Sequence, residues 1–419
     1  MISDKMVELV NNSSVIREMF EEGKRLSGIY GAENVYDFSL GNPNVPAPAA
    51  VEKAIRDILN EEKSTEVHGY MSNSGFEEVR GAIADSLNRR FGTAFGVSNI
   101  IMTVGAAGGM NVLFKAVVNA GDEIIAFAPY FGEYRAYAAN ADARLVEVSP
   151  DTSTFQPKLE EFERLITPKT KAVIVNTPNN PTGVIYSEET IRKMAEIMER
   201  KQKEFGSVII LFSDEPYREL AYDGAEVPYL TKYYANTVVG YSYSKSLSLP
   251  GERIGYLVVP DELEDSETVK AACGVATRIL GFVNAPSLMQ KVIGRCVDVD
   301  ISENAALYNR NRETLYEGLT ALGFECIKPQ GAFYLFMKTP IHDFAFCKLA
   351  KKYNILMVPG STFGCGGFVR IAYCVSYDTI VNSLPKFEEL AKSLGLASKE
   401  ASGKSSGAAD ETEAAGGEA

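Results

Sequence analysis

The spacing of apolar positions changes along this chain. Near the N-terminus it is helical. In 13–30 (SSVIREMFEEGKRLSGIY), Ile16, Met19, Phe20, Gly23 and Leu26 fall on one face, with Ser13 or Ser14 placed to cap the helix. An extended stretch broken by Gly and Pro follows, DFSLGNPNVPAP, and residues 49–62 return to helical spacing. From about residue 99 the pattern becomes short apolar runs: NIIMTV (99–104), DEIIAFA (122–128), ARLVEVS (143–149), KAVIVN (171–176), SVIILFSD (207–214), TVVGYS (237–242) and RIGYLVV (253–259). Helical segments such as 106–119, 157–166 and 187–205 separate them. A strand buried on both faces reads as a continuous apolar run. The alternation therefore predicts an α/β fold with a mainly parallel sheet sandwiched by helices.

The C-terminal third mixes its signals. Residues 303–323, 341–354 and 377–395 have helical spacing, whereas GAFYLFM (331–337) and FVRIAYC (368–374) read as strands. This predicts a large domain over 46–290 and a smaller α+β domain over 291–397, with residues 1–45 packing on the smaller one. Residues 398–419 are small, polar and acidic, and hold no large apolar side chain. They are expected to be disordered, since they bury too little surface to offset the entropy of ordering.

Composition narrows the function classes. The chain has 419 residues, 46% hydrophobic and 23% charged, with a formal net charge of -13. Binding nucleic acid or an anionic membrane surface needs a basic face, so neither partner is expected. The six cysteines (273, 296, 326, 347, 365, 374) show no CxxC spacing, and there are two histidines, His68 and His342. A zinc site or a disulfide scaffold is not expected. MISDKMVELV lacks the apolar segment of a signal peptide, and no run approaches the length of a membrane span. The expectation is a cytoplasmic protein acting on small molecules.

Four segments carry candidate chemistry. TVGAAGGMN (103–111) follows a strand and opens a helix, a placement suited to an anion or to a tight turn. It is neither GxGxxG nor a GK[ST] loop, which argues against a dinucleotide or nucleoside triphosphate. KAVIVNTPNNPTGVIY (171–186) ends a strand in an NPTG turn. VIILFSDEPYREL (208–220) puts Asp214 at the end of a strand, where parallel sheets bind ligands. That carboxylate either caps a turn or pairs with a bound cation, with Tyr217 three residues on. SYSKSLSLPGERIGY (242–256) sets Ser242, Ser244 and Lys245 after a strand, with Arg253 eight residues beyond the lysine. A lysine there is either a surface charge or an amine of lowered pKa that attacks an aldehyde, with hydroxyls and an arginine for a phosphate.

NNPTG, SDEPY and SYSKSLSLPGERIGY, in this order and at these separations, resemble the class I and II aminotransferases. The resemblance runs from DFSLGNP (37–43) to FVRIAYC (368–374). It implies fold type I and pyridoxal 5′-phosphate, held as an imine by Lys245. Asp214 is similar to the carboxylate that keeps the ring nitrogen protonated. Asn180 and Tyr217 resemble the donors to the phenolic oxygen. Arg253 and Ser242, with Ser244 added, resemble the phosphate ligands, and the backbone of Ala106 and Ala107 serves the same phosphate. Phe131 matches the aromatic stacked on the ring, with Tyr130 as its alternative. Tyr70 matches a tyrosine that reaches the partner subunit's phosphate, which implies a homodimer. Arg370 resembles the fork on the substrate α-carboxylate, with Gly41 against it.

Two departures stand out. The phosphate turn has Ala-Ala where many relatives place a hydroxyl. Arg278, in VATRILGFVNAPS (275–287), is displaced by about one residue from a second, distal-carboxylate arginine, and is either that ligand or a solvated charge. The implied reaction is ping-pong transamination, with aspartate or an aromatic amino acid favoured as donor and 2-oxoglutarate as acceptor. The alternatives are a C–S β-lyase of the same fold, a cofactor-binding regulator and a nucleotide-dependent enzyme. A regulator needs a basic DNA-binding segment, and none precedes residue 30.

Overall fold

The computed structural model describes residues 1–3, 6, 7, 10 and 15–396. The expected cap at Ser13 or Ser14, the side chains of Ile16 and Phe20, and the acidic segment 398–419 lie outside the described residues. Helix α1 (Val15–Tyr30) buries Met19, Gly23 and Leu26, and β1 (Tyr36–Asp37) follows it. Helices α2 (Ala49–Glu61) and α3 (Glu77–Phe91) precede the alternating region. That region runs β2 (Ile100–Thr103), α4 (Gly105–Val117), β3 (Glu123–Phe127), α5 (Glu133–Asn140) and β4 (Arg144–Val148). It continues with α6 (Leu159–Leu165), β5 (Thr170–Asn176), α7 (Glu188–Phe205), β6 (Ile210–Asp214), β7 (Thr237–Ser242) and β8 (Gly255–Val258). Helix α8 (Ser266–Ile279) packs on α4, and α9 (Ser287–Cys296) packs on α2 and α3.

The seven strands lie in the order β2-β8-β7-β6-β5-β3-β4. Strands β7 through β4 in that order are parallel, and β8 runs against both its neighbours. Helices cover both faces, so β2, β3, β6, β7 and β8 are buried at every residue. Successive residues feed opposite layers. Val239, Tyr241 and Val258 join the core under α2, α3 and α9, while Val238, Leu257 and Phe212 join the core under α4 and α8. Each such apolar side chain contributes roughly 1.5–3 kcal/mol by leaving water. Edge strand β4 buries only Val146 and Val148.

The remaining elements are α10 (Ser302–Ala321), β9 (Tyr334–Lys338), α11 (Asp343–Ala350), β10 (Ile355–Leu356), β11 (Val358–Pro359), β12 (Phe368–Ala372) and α12 (Tyr377–Ser393). An antiparallel sheet runs β11-β12-β9. Strand β1 pairs in parallel with β10, and Leu26 of α1 packs with Val35 and Leu356. The N-terminal segment is thereby fastened to the C-terminal part of the chain. Side-chain oxygens cap α7 and α12 at their starts. Ser187 accepts the Thr190 amide ahead of α7, and Ser376 accepts the Thr379 amide ahead of α12, both at 3.1 Å.

The apolar pattern did not announce every element. The buried face of α3 includes Arg80, Ala84 and Ser86, which blur the helical stripe. Strand β8 begins at Gly255 rather than at Arg253, because Arg253 holds the left-handed conformation (φ 52°) that ends a 3-10 turn. Helix α11 stops at Ala350, and Lys351–Tyr353 forms a 3-10 turn. Among the described residues, no helix is long and apolar enough to cross a membrane.

Arg312 of α10 ties the C-terminal part to the loop after β6. Its buried guanidinium donates to both carboxylate oxygens of Asp223 at 2.8 Å and to the Pro329 carbonyl at 2.7 Å, with Glu313 3.5 Å away. Asp223→Ala strands that charge, and is expected to destabilise the protein by roughly 2–3 kcal/mol in urea unfolding. Arg312→Met in the same background should recover most of the loss, because no buried charge then remains. A double variant as unstable as the single one would refute this account.

Candidate active site

Strands β5, β6 and β7 end side by side. Their register pairs Asn176 with Asp214 and Asp214 with Gly240, so β5 and β6 end at one level and β7 runs two residues further, to Ser242. This is where a parallel sheet leaves room for a ligand. A cavity of about 280 Å³ opens there. It is lined by Gly41, Ala106, Ala107, Phe131, Asn180, Asp214, Tyr217, Ser242, Ser244, Lys245, Arg253 and Arg370. These are all of the site residues expected from the sequence except Tyr70. Tyr70 is 93% exposed and does not line the cavity of its own chain. Tyr130 is buried and does not line the cavity, whereas Phe131 does. Arg278 is exposed at the end of α8, outside the cavity.

Local structure explains each placement. Ala106 and Ala107 occupy the first turn of α4 rather than a loop, where backbone amides lack helical acceptors. Gly105 precedes them with φ 79°, and a Cβ there would lie 2.8 Å from Arg253 Nη2, so glycine lets the guanidinium reach the helix start. Ser242 ends β7, its hydroxyl 2.7 Å from that of Ser244. Lys245 follows in the helical turn Tyr243–Ser246 and donates to the Gly41 carbonyl at 2.6 Å. The NPTG segment is held from beneath: Asn176 Oδ1 accepts the Asn180 amide at 2.8 Å, and Asn179 Oδ1 accepts the Thr182 hydroxyl at 2.8 Å. Arg370, in the middle of β12, donates to Asn180 Oδ1 at 3.0 Å and to the Ser39 carbonyl at 2.6 Å.

Of the charged groups in this cavity, Asp214 and Arg370 are buried, Lys245 is half-buried and Arg253 is exposed. No carboxylate pairs with Arg370 or Lys245 among the described residues, and Arg370 Nε is buried with no hydrogen bond. Burial lowers the Lys245 amine to about 8. Burial raises Asp214 to about 7, against the lowering effect of the Tyr134 hydroxyl and with a smaller upward push from Glu215. Tyr134 donates to Asp214 Oδ2 at 2.5 Å. A second cavity of about 260 Å³ is lined by Arg90, Glu219 and Tyr241, among others, but its arginine and glutamate are already paired at 2.6 Å. The first cavity can therefore receive a molecule with an anionic end, a cationic ring atom and a carbonyl, which its own residues leave unmatched.

Sequence reasoning missed Tyr134, Tyr137, Asn176 and Tyr334, which also line the cavity. Asn176 was the closing residue of KAVIVN and Tyr334 lay in GAFYLFM. Nothing in either run marked a side chain as facing a ligand.

The chain has the fold of fold type I pyridoxal-phosphate-dependent enzymes. An aminotransferase from Eubacterium rectale superposes with a TM-score of 0.90 at 48% identity, covering 94% of this chain and 99% of that one. The aspartate aminotransferase of Thermus thermophilus, solved with maleate, superposes with a TM-score of 0.83 at 27% identity, covering 93% and 99%. The aminotransferase class I and II family model matches residues 32–384, and the chain belongs to that family. The aspartate/prephenate aminotransferase of Thermus thermophilus is 31% identical over 361 residues, 83% of this chain and 89% of that protein. These relatives favour an aminotransferase over the lyase alternative.

The Asp214 shift sets a pH dependence. Its folded value lies above the unfolded one, so the stability tied to its proton is fully present below about pH 4. That stability is lost as pH rises to about 7, by up to about 4 kcal/mol. Lys245 acts in a separate window, since its lowered value is felt below pH 10.5 and is relieved as pH rises from about 8. Urea unfolding of ligand-free protein between pH 4 and 7 should show the decline, and Asp214→Asn should flatten it. A variant with the wild-type slope would remove Asp214 as its source.

Proposed function

We propose that this cavity binds pyridoxal 5′-phosphate and that the protein moves an amino group between an L-amino acid and a 2-oxo acid by ping-pong turnover. The observation that carries the reading is the convergence of Lys245, Asp214 and Arg370, all lacking counter-ions, around one cavity. The donor set fits the group. Ser242, Ser244, Arg253 and the first-turn amides at Ala106 and Ala107 would hold the phosphate. Asp214 would face the ring nitrogen, Tyr217 and Asn180 the phenolic oxygen, and Phe131 the ring face. When bound, the cofactor supplies the carbonyl that takes up the amino group and the ring that absorbs electrons from the Cα–H bond.

The protein's own residues do the rest. Lys245 is uncharged in a useful fraction near neutral pH, so its Nζ serves as nucleophile toward the aldehyde and as base toward the substrate Cα proton. Arg370 has hydrogen-bonding capacity left for a substrate carboxylate and fixes its orientation. Asp214 favours a proton on the ring nitrogen, and a cation there in turn favours ionised Asp214. The names of the relatives support aspartate or aromatic donors, and the family resemblance of the motifs favours 2-oxoglutarate as acceptor. Tyr70, exposed and outside its own cavity, fits the role of a residue given to the phosphate site of a second copy in a homodimer.

Lys245→Ala should lower turnover by about a thousandfold or more. Borohydride treatment of the yellow protein should label Lys245 in peptide mass mapping; a label elsewhere refutes the assignment. Arg370→Lys should raise KM for the amino acid roughly tenfold or more with less effect on visible absorption. Adding aspartate, phenylalanine, tyrosine and alanine separately and recording which bleaches the visible band names the donor. A protein that takes up no pyridoxal phosphate sinks the whole reading.

A further inference from the structure

Tyr334 opens β9 and touches three members of the site. Its hydroxyl lies 2.9 Å from that of Tyr217, with the two rings near perpendicular at 82°. Its ring lies under the Arg370 guanidinium, 4.5 Å from the centroid. A Cβ at position 41 would come within 2.0 Å of its hydroxyl, so only glycine lets the 39–42 segment pass, and that segment's Gly41 carbonyl accepts Lys245.

The two hydroxyls share one hydrogen bond in which either oxygen could be the donor, and the cofactor reading decides its direction. Tyr217 and Tyr334 are both buried, and the bond between them is the one that Tyr334 makes among the described residues. Each hydroxyl carries one proton, so a Tyr217 that donates to the cofactor's phenolic oxygen, as proposed above, can only accept in this bond. Tyr334 then donates to Tyr217, and the Tyr217 proton is left to point into the cavity that both side chains line.

We propose that Tyr334 is a positioning residue that donates to Tyr217, aims the Tyr217 proton at the bound cofactor, and supports the substrate-carboxylate face of Arg370. The inference rests on the cofactor reading above. A hydroxyl that accepts a hydrogen bond becomes a stronger donor. Tyr334 thus helps Tyr217 stabilise negative charge on the oxygen it faces, and lowers the pH at which the visible band of the loaded protein titrates. Its ring acts separately, through the cation–π contact with Arg370.

The test is spectrophotometric titration of pyridoxal-phosphate-loaded protein. Tyr334→Phe keeps the ring and loses the hydroxyl. Its band should titrate about half a unit to one unit higher than wild type, the size expected for one neutral hydrogen bond. Tyr217→Phe should abolish the effect, so that adding Tyr334→Phe to it moves the band no further. KM for the donor should change less than about twofold in Tyr334→Phe and rise several-fold in Tyr334→Leu, which loses the contact under Arg370. A wild-type band with an unmoved Tyr334→Phe band overturns this proposal alone, and so does an equal shift in the Tyr217→Phe background. A wild-type protein with no band overturns the cofactor reading and this proposal with it.

Discussion

Asp214 holds a carboxylate at the end of a buried parallel strand, with the Tyr134 hydroxyl as its hydrogen-bond donor. Its charge is costly in that place because little water reaches it, and the protein leaves the cost unmet. The site's chemistry depends on that deficit. In the proposed function a group bearing a cationic ring atom would remove it, and Asp214 would in turn hold the ring proton that makes the ring an electron sink. Helices on both faces of the sheet keep water out, and the shared register of β5, β6 and β7 keeps the carboxylate beside the other ligands.

The two sheets contribute opposite halves of the job. The seven-stranded sheet presents Asp214, the phosphate-binding candidates and Lys245 from its strand ends. The antiparallel sheet presents Arg370 from β12 and Tyr334 from β9. They meet through side chains rather than through strand pairing. Arg370 reaches Asn180 on one side and Ser39 on the other, and Tyr334 reaches Tyr217. The strand pair β1–β10 brings the 39–42 segment to the same place, so its carbonyls can accept from Arg370 and Lys245. A change in the small sheet is therefore felt at the proposed substrate and cofactor positions alike.

Much of this was legible in the residues. The continuous apolar runs marked the buried strands, since a strand covered on both faces has no polar side to show. NNPTG, SDEPY and SYSKSLSLPGERIGY marked the strand ends, and all of the expected site residues except Tyr70 line one cavity. The misses have physical causes. Helix α3 buries Arg80 and Ser86 among its apolar residues, so its stripe was faint. Arg253 sits in a left-handed turn that apolar spacing cannot register. Nothing set Tyr134 and Tyr334 apart, because a hydroxyl that faces a cavity reads in sequence like one that faces a neighbour.

Chemical identity and order along the chain belong to the sequence. It determined which strands are buried, which residues stand at their ends, and which motifs carry an amine, a carboxylate and a guanidinium. Distance and direction came only with tertiary structure. Tyr217 and Tyr334 are more than a hundred positions apart, and Arg370 and Asn180 nearly two hundred. Long-range packing alone brings such pairs within hydrogen-bonding reach and withholds water from them, and that combination shifts the Lys245 amine and the Asp214 carboxyl toward neutral pH.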